Sequence, residues 1–437
     1  MNLRDTLCIK GGRLFIGGCD TVELAEKFGT PLYVLDEQYV REVMRAYVEG
    51  LSEYGDFAVA YASKALSCIA MYKIVKSEGL WTDVVSGGEF YATQKAGVNP
   101  EHIVMHGNNK TPKQLTEAVR AGVGHIVLDG FDEIERLDLI CQKEGKTQKV
   151  LLRVNPLVEA HTHAAVQTAK PDSKFGVIIG DEATKAVLEI KDRKNLIFDG
   201  LHCHIGSQIF DYSAYELAVE AMVKFIASLN KEGAEVNVLN MGGGFGIYYA
   251  GDDPKFTPQR YAHTVRNLAL LIEKAVKKYN IKKPFLIVEP GRSIVGEAGI
   301  TLYTVGTIKE IKGIRKYVAI DGGMFENPRF ALYGSVYTAI NASRADKPFT
   351  QKVAICGKCC ESGDMIGVDI PLQDTKVGDI VAVFSTGAYN YSMASNYNMN
   401  AVPPIVMVKD GRADYIVKPQ SYEDLLRLNA IPEWIKD

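Results

Sequence analysis

Eight short apolar runs, each four to seven residues long, constrain the fold of this chain more than any other feature of its sequence. Their length and β-branched content are typical of buried parallel strands. The runs are 57–62, 81–85, 102–105, 125–128, 150–154, 198–204, 236–240 and 285–289. Each is followed by reactive or glycine-rich residues, and an eight-stranded (β/α) barrel carries its chemistry at the carboxyl ends of its strands. The pattern therefore predicts an α/β barrel that acts as an enzyme.

The segments between the runs have helical periodicity. One of them opens with a threonine, a proline and a glutamine at 111, 112 and 114, which is the signature of a capping box. Strand and helix alternate from about Asp36 to Arg292, which predicts parallel strands joined by right-handed crossovers. A polar insertion at 161–175 follows the fifth run and has the length of a lid or binding loop.

After Arg292 the pattern changes to β alternation without long helices. Candidate strands lie at 301–305, 317–321, 352–356, 380–384, 405–408 and 415–417. The first 35 residues have the same character, so we expect them to join this region. The sequence thus predicts two domains: a barrel over 36–292, and a mainly β domain formed by 1–35 and 293–437.

Composition excludes several classes of protein. A net charge of −3 gives no strong field that would attract nucleic acid or an acidic membrane surface. The N-terminus has no signal-like apolar stretch, and no apolar run reaches the length of a membrane span. The eight cysteines do not form a disulfide framework, which favours a reduced, cytoplasmic location.

Two groups at the strand ends suit a phosphorylated aldehyde. Lys64 closes the first run, where a lysine can form a Schiff base, although a solvent-exposed lysine is the simpler reading. Gly242, Gly243 and Gly244 follow the seventh run and could either make a tight turn or direct backbone N–H groups at a phosphate. Arg292 follows the eighth run, and barrel phosphate sites are commonly built from these two loops.

Two histidines alternate along the sixth run, so His202 and His204 should point to the same side. They could bind a metal, stack on a cofactor ring or be satisfied core residues. Metal-dependent barrel hydrolases usually carry such a pair on the first strand, which here holds Lys64, so we predict no metal. His161 and His163 form a second pair in the polar insertion, where nothing fixes them.

The C-terminal region offers groups for a substrate. Arg329 and Tyr333 are four residues apart, so on a helix they share one face suited to a carboxylate, although a surface salt bridge is the simpler reading. The group Cys356, Cys359 and Cys360 lacks the second pair that a structural zinc site requires. Cys360 with Glu361 reads instead as a thiol and a carboxylate presented on a turn.

A lysine for an aldehyde, a nest for a phosphate, Glu289 at a strand end and a histidine for a ring together describe pyridoxal phosphate. The chain resembles the alanine-racemase-like (fold type III) pyridoxal-phosphate-dependent decarboxylases, and among them the diaminopimelate decarboxylase family, over nearly its whole length. The matching motifs are YASKAL, DVVSGGE, HGNNK, RVNP, AHTH, SKFG, HCHIGSQ, GGGFG, EPGR, CESGD, GAY and SMASNYN.

The resemblance implies a role for each matching residue. Lys64 would hold pyridoxal 5′-phosphate, Glu289 would keep its pyridine nitrogen protonated, and His204 would stack on its ring. The residues implied in contact with the rest of the cofactor are Ser207, Gly243, Gly244, Gly291, Arg292 and Tyr389. Those implied to bind substrate are Arg292, Arg329, Tyr333, Glu361 and Tyr389. Cys360, from the partner subunit of a homodimer, would protonate the carbanion.

The activity implied is decarboxylation of meso-2,6-diaminopimelate at its D centre to L-lysine and carbon dioxide, the last step of lysine synthesis. The β-rich domain would contribute to the active site and to the dimer interface. The alternative is another decarboxylase of the fold, acting on ornithine, arginine or carboxynorspermidine. One segment departs from the family, where GMNDLIRPALY is replaced by GMFENPRFALY at 323–333. The spacing of Arg329 and Tyr333 survives this change.

Overall fold

The computed structural model describes residues 3–158 and 172–435. The chain divides into two compact units. The first, which we call the β unit, comprises Met1–Tyr39, Tyr248–Asp253 and Val295–Asp437. The second, the barrel unit, comprises Val40–Ile247 and Pro254–Ile294. His161, His163 and most of the polar insertion lie outside the described residues, so the lid stays a prediction.

The N-terminal segment is a small three-stranded sheet followed by a helix and a longer strand. Its elements are β1 (Leu7–Lys10), β2 (Arg13–Ile16), β3 (Cys19–Asp20), α1 (Thr21–Phe28) and β4 (Leu32–Asp36). The helix begins where the sequence favours it, because the Asp20 carboxylate accepts a hydrogen bond from the Val22 N–H at 2.8 Å.

The barrel unit is built on eight parallel strands that close on themselves. They are β5 (Phe57–Ala62), β6 (Trp81–Val84), β7 (Ile103–Met105), β8 (His125–Leu128), β9 (Gln148–Asn155), β11 (Leu196–His202), β12 (Val238–Asn240) and β13 (Phe285–Val288). Each strand pairs with its neighbour, and β13 pairs with β5. A short strand, β10 (Val177–Ile178), adds to β9. The barrel predicted from the eight apolar runs is confirmed.

Helices precede and follow the strands. They are α2 (Glu37–Leu51), α3 (Ile69–Ser77), α4 (Gly87–Ala96), α5 (Pro112–Ala121), α6 (Phe131–Glu144), α7 (Asp181–Asp192), α8 (Tyr212–Lys231), α9 (Pro258–Tyr279) and α10 (Arg292–Val295). The capping box at α5 is present, with Thr111 and Gln114 exchanging hydrogen bonds between side chain and backbone. Small and branched side chains fill the barrel: Ala58, Ala60, Val104, Val127, Leu151, Val238 and Ile287.

The rest of the β unit is mainly antiparallel. Its strands are β14 (Gly299–Ile311), β15 (Arg315–Ile320), β16 (Ala339–Asn341), β17 (Gln351–Cys356), β18 (Met365–Leu372), β19 (Ile380–Phe384), β20 (Ile405–Lys409) and β21 (Arg412–Val417). Two short helices, α11 (Arg329–Tyr333) and α12 (Tyr422–Leu426), complete it. β4 lies between β14 and β20 in the larger sheet, so the N-terminal segment joins the C-terminal strands as predicted.

In the C-terminal part of the β unit, two strands were not predicted from the sequence. β16 has only three residues, too few for a period to show. β18 contains Pro371, and Asp369 within it adopts a left-handed φ of 56°, which interrupts the alternation. Among the described residues, no helix has the length and apolar character needed to cross a membrane.

Candidate active site

The carboxyl end of β5 places Lys64 beside the last barrel strand. The strand ends at Ala62, whose N–H donates to the carbonyl of Pro290, just beyond β13, at 3.1 Å. Lys64 lies in the short 3₁₀ turn that follows and is exposed to solvent. Its amine is therefore reachable at the end of the barrel where the chemistry of this fold is found.

Glu289 follows β13 and is the centre of a buried polar cluster. Its Oε1 accepts a hydrogen bond from Asn240 Nδ2 at 2.7 Å and lies 2.7 Å from His106 Nε2. Its Oε2 lies 3.3 Å from His202 Nε2. These three partners come from the ends of three different strands, so the closure of the barrel brings the cluster together.

The cluster keeps Glu289 ionised. Burial raises the pKa of the Glu289 carboxyl, but His106 and His202 more than offset burial and hold this pKa well below its ordinary value. Burial lowers the pKa of His202 to about 3, so its ring is neutral at pH 7. The neutral ring donates from Nε2 to Glu289, which leaves Nδ1 as a buried acceptor without a hydrogen-bond partner. Glu289 is thus a charged carboxylate that accepts hydrogen bonds from buried side chains.

Asp83, at the end of β6, lies on the edge of this cluster. Its Oδ1 is 3.9 Å from His106 Nε2 and has no hydrogen-bond partner. Burial is the main cause that raises the pKa of Asp83 to about 6. His106 therefore lies between two carboxyl groups whose pKa values are shifted in opposite directions, an arrangement that is typical of functional sites.

The loop after β12 is packed too closely for any residue but glycine. A Cβ on Gly243 would lie 2.1 Å from the Glu289 carbonyl oxygen, and one on Gly244 would lie 2.3 Å from the Gly206 carbonyl oxygen. Gly291 has the same constraint against Ala62. Gly244 also has a φ of 97°, which L side chains rarely adopt. The loops after three strands therefore approach one another backbone to backbone.

Arg292 and Ser207 are brought together beside these glycines. Arg292 is buried, and its Nη2 donates to Ser207 Oγ at 3.0 Å. The pair offers a guanidinium and a hydroxyl that suit an anion.

His204 lies two residues beyond the end of β11, so it is not on the strand as the alternation suggested. Its Nδ1 accepts a hydrogen bond from the Gly243 N–H at 3.3 Å. Burial, followed by the nearby charge of Lys64, lowers the pKa of His204 well below its ordinary value. The two histidines separate in role, since His202 binds Glu289 and His204 presents a neutral ring next to the glycine loop.

The barrel unit fits pyridoxal phosphate. It holds an ionised carboxylate, a neutral histidine ring, an exposed lysine, and the Arg292–Ser207 pair beside the glycine loop. The ligand atoms of His106, His202 and Glu289 also lie within 4.8 Å of one another, the one such group found among the described residues that could hold a metal ion.

In the β unit, Arg329 opens α11 and is surrounded by aromatic rings. Its guanidinium carbon lies 5.8, 5.5 and 5.6 Å from the ring centres of Tyr249, Tyr333 and Tyr389. Its Nε donates to Tyr337 Oη at 3.0 Å. Within 3–158 and 172–435, no ion pair joins this buried guanidinium to a carboxylate, which leaves it suited to an acidic ligand.

Cys360 and Glu361 lie on an exposed turn that follows β17. Tyr389 follows β19 and has a left-handed φ of 65°, which is rare for a tyrosine and marks a constrained position. The predicted residues thus lie in three groups: those of the barrel unit, then Arg329, Tyr333 and Tyr389 in the β unit, and Cys360 with Glu361 on the turn after β17. His106, Asn240 and Tyr337 were not assigned a role from the sequence, although the first two directly follow or end an apolar run.

Comparison with known proteins agrees with this site. Residues 40–296 match the family described as pyridoxal-dependent decarboxylase, pyridoxal binding domain. The chain is 45% identical to the diaminopimelate decarboxylase of Bacillus subtilis over 421 residues, which covers 96% of this chain and 95% of the relative. It is 44% identical to the Staphylococcus aureus enzyme of the same name, with 95% and 97% covered.

Solved structures give the same answer for the whole chain. The crystal structure of diaminopimelate decarboxylase from M. jannaschii in complex with L-lysine is 36% identical, with a TM-score of 0.90 and 98% of each chain covered. The Helicobacter pylori enzyme with L-lysine is 28% identical, with a TM-score of 0.85 and coverage of 93% of this chain and 98% of the other.

Proposed function

This chain belongs to the diaminopimelate decarboxylase family of pyridoxal-dependent decarboxylases, and from that premise we propose how its residues convert meso-2,6-diaminopimelate to L-lysine and carbon dioxide. The observation that carries the proposal is the Glu289 carboxylate, held ionised by buried donors at the end of the barrel that also presents Lys64. An acidic partner of this kind keeps a pyridine nitrogen protonated.

Pyridoxal phosphate, when bound, supplies the electron sink that stabilises the charge left by the departing carbon dioxide. The residues of the barrel unit hold and orient it. Lys64 would provide the amine for its aldehyde, Glu289 would accept the pyridine N–H, and His204 would pack its neutral ring on the cofactor ring. The phosphate would be held by Ser207, Gly243, Gly244, Gly291 and Arg292, and Arg292 would also reach the substrate.

Substrate choice depends on the far end of the molecule. Diaminopimelate carries a distal carboxylate and a distal ammonium. We assign Arg329, Tyr333 and Tyr389 to the carboxylate, and Glu361 to the ammonium. Arg329 is buried among tyrosines, none of the described residues gives it an acidic partner, and its Nε donates to Tyr337. A substrate without the distal carboxylate, such as ornithine, leaves this guanidinium unpaired, which costs on the order of a few kcal/mol.

Cys360 is assigned as the acid that protonates the substrate carbon after carbon dioxide leaves, at the D centre of the meso compound. We propose that it acts in the site of the partner subunit of a cytoplasmic homodimer, so that two chains complete each site. A mixture of Lys64→Ala and Cys360→Ala proteins tests the sharing. If sites are shared, two inactive variants together recover about a quarter of native activity after exchange of subunits. No recovery after verified exchange contradicts it.

The activity itself is tested by mass-spectrometric detection of products from the purified protein with pyridoxal phosphate. Meso-diaminopimelate is compared with ornithine, arginine and carboxynorspermidine, and Lys64→Ala is the control. Lysine formed from diaminopimelate alone, and abolished in the control, supports the proposal. Turnover of one of the other substrates instead keeps the cofactor assignment and overturns the roles of Arg329, Tyr333 and Glu361.

A further inference from the structure

β17 and the turn that follows it carry three thiols, of which one is exposed. Cys360 is exposed, whereas Cys359 is 9% exposed and Cys356 is half-buried. Burial, followed by the charge of Asp364, raises the pKa of the Cys359 thiol to about 11. Cys359 therefore stays a neutral, inaccessible thiol, and Cys360 is the group that the turn offers to a substrate.

Asp364 fixes this turn from inside the β unit. Its carboxylate accepts hydrogen bonds from the N–H groups of Cys359 at 2.7 Å and Met324 at 2.6 Å. Gly323 and Gly357 permit the approach, since a Cβ on Gly357 would lie 2.3 Å from an Asp364 oxygen. The base of the turn is thus tied to the rest of the unit, but within the described residues no hydrogen bond joins Asp364 to Cys360.

Cys360 is held by a different segment, the asparagine-rich run that the sequence left without a role. Asn398 Oδ1 accepts a hydrogen bond from the Cys360 N–H at 2.9 Å. Asn398 has a left-handed φ of 52°, which asparagine tolerates better than most residues. Asn396 and Asn400 bind within the same run, and Asn396 Nδ2 also donates to Gln420 Oε1 at 2.7 Å. The run is therefore an anchored support rather than a loose loop.

We propose that Asn398 is a positioning residue for Cys360. The inference rests on the proposed function, in which Cys360 gives its proton to the substrate carbon. In that step the S–H bond breaks, the new C–H bond forms, and the thiolate regains its proton from water. The bond from Asn398 fixes the backbone at Cys360, and with it the direction of the thiol.

A misplaced thiol changes the fate of the reaction, not only its rate. If the proton added to the former aldehyde carbon of the cofactor instead, water would hydrolyse the C=N bond to the substrate carbon. The products would be an aldehyde and pyridoxamine phosphate, which keeps the amino group. The ratio of pyridoxamine phosphate to lysine therefore reports the position of Cys360, and a general loss of stability does not alter it.

The test compares Asn398→Gly, which removes the acceptor but permits the left-handed backbone, with Asn398→Asp, which keeps an acceptor oxygen. Asn280→Gly is the matched control, because Asn280 is an exposed asparagine with a φ of 50° at the end of α9. Each holoenzyme is assayed with meso-diaminopimelate for kcat, KM and the two products, and Cys360 alkylation by iodoacetamide is followed by peptide mass spectrometry.

In Asn398→Gly we expect kcat to fall on the order of tenfold or more, since a displacement of about 1 Å at a reacting group can cost 10²-fold. The pyridoxamine phosphate to lysine ratio should rise, KM should change little, and Asn398→Asp and Asn280→Gly should resemble the native protein. An unchanged product ratio in Asn398→Gly, or a loss shared equally by Asn280→Gly, overturns the inference. If the native protein formed no lysine, the proposed function would be overturned instead. In that case, altered Cys360 alkylation in Asn398→Gly would still support the positioning of Cys360 by Asn398.

Discussion

The two ends of the barrel each hold a buried histidine beside a carboxylate, yet the two pairs have different surroundings. At the amino ends, His125 Nε2 lies 2.9 Å from Asp199 Oδ2. At the carboxyl ends, His106 Nε2 lies 2.7 Å from Glu289 Oε1. The same chemical pair therefore occurs twice in one unit, once below the barrel core and once above it.

The amino-end pair is enclosed by structure. The Trp81 ring stacks on His125 with ring centres 6.2 Å apart, and it also stacks on His102 and Phe285. The hydrogen bond from His125 lowers the pKa of Asp199, and Lys149 lies 3.6 Å from the same carboxylate. Among the described residues, Asp199 thus has a histidine, a lysine and the Asn237 amide as its own partners.

The carboxyl-end pair is arranged for use. Two histidines and an amide contact Glu289, and in the part of the chain that the structure describes no lysine or arginine hydrogen-bonds to it. Glycine loops with close backbone approach lie around it. A histidine–carboxylate pair is therefore not by itself a functional site. Its neighbours decide whether the pair stabilises the barrel or serves a cofactor, and four changes test this distinction.

The largest effect is expected from Glu289→Gln. The amide keeps the shape but cannot hold a protonated pyridine nitrogen, so kcat should fall roughly 10²- to 10³-fold, the usual cost of a preorganised electrostatic group. Lysine release from diaminopimelate under saturating cofactor measures it. A loss below about threefold would show that the carboxyl-end cluster is as structural as the amino-end one.

Gly243→Ala should come next. Its Cβ would lie 2.1 Å from the Glu289 carbonyl oxygen, and such overpacking costs about 1–3 kcal/mol, so the Kd for pyridoxal phosphate should rise roughly tenfold or more. Gly130→Ala is the control at the same end, because Gly130 is extended and its Cβ would meet nothing within 4 Å. Cofactor titration by fluorescence distinguishes the two, and equal Kd values would contradict the packing argument.

Asp199→Asn should act on stability alone. The change leaves His125 without its carboxylate, which should lower the free energy of unfolding by about 1–3 kcal/mol. Urea denaturation gives that quantity, and kcat measured on the folded protein should match the native value. A large fall in kcat with unaltered stability would mean that the amino end takes part in function.

The smallest expected effect is on the pH dependence of stability. His202 has a pKa of about 3 when folded, against an ordinary value of 6.5, so the unfolded chain binds more protons and stability falls as the pH drops below about 6.5. Asp83, with its pKa raised to about 6, has the opposite sign between its ordinary value of 3.8 and pH 6. His202→Gln should therefore lose less stability than the native protein from pH 6.5 to 5, by about 1–2 kcal/mol. An equal loss of unfolding free energy between pH 6.5 and 5 in the native protein and in His202→Gln would contradict this.

The sequence predicted the barrel because eight buried parallel strands leave a local apolar signature, and it placed Lys64 and Glu289 because each follows such a strand. It could not assign partners that depend on closure of the barrel. In the sequence, nothing distinguishes Asn240 from other amides at strand ends. In the structure, its Nδ2 lies 2.7 Å from Glu289 Oε1, just after the end of β13. Tyr337 and Asn398 were missed for the same reason, since each acts through a hydrogen bond to a residue whose position only the tertiary structure fixes.

The most direct test of the account is the protonation state of the cofactor's pyridine nitrogen, measured by ¹⁵N NMR of protein loaded with ¹⁵N-labelled pyridoxal phosphate. We expect a protonated nitrogen in the native protein and in Asp199→Asn, and an unprotonated one in Glu289→Gln. An unprotonated nitrogen in the native protein, or the same protonated signal in all three, would contradict the role given to the Glu289 cluster.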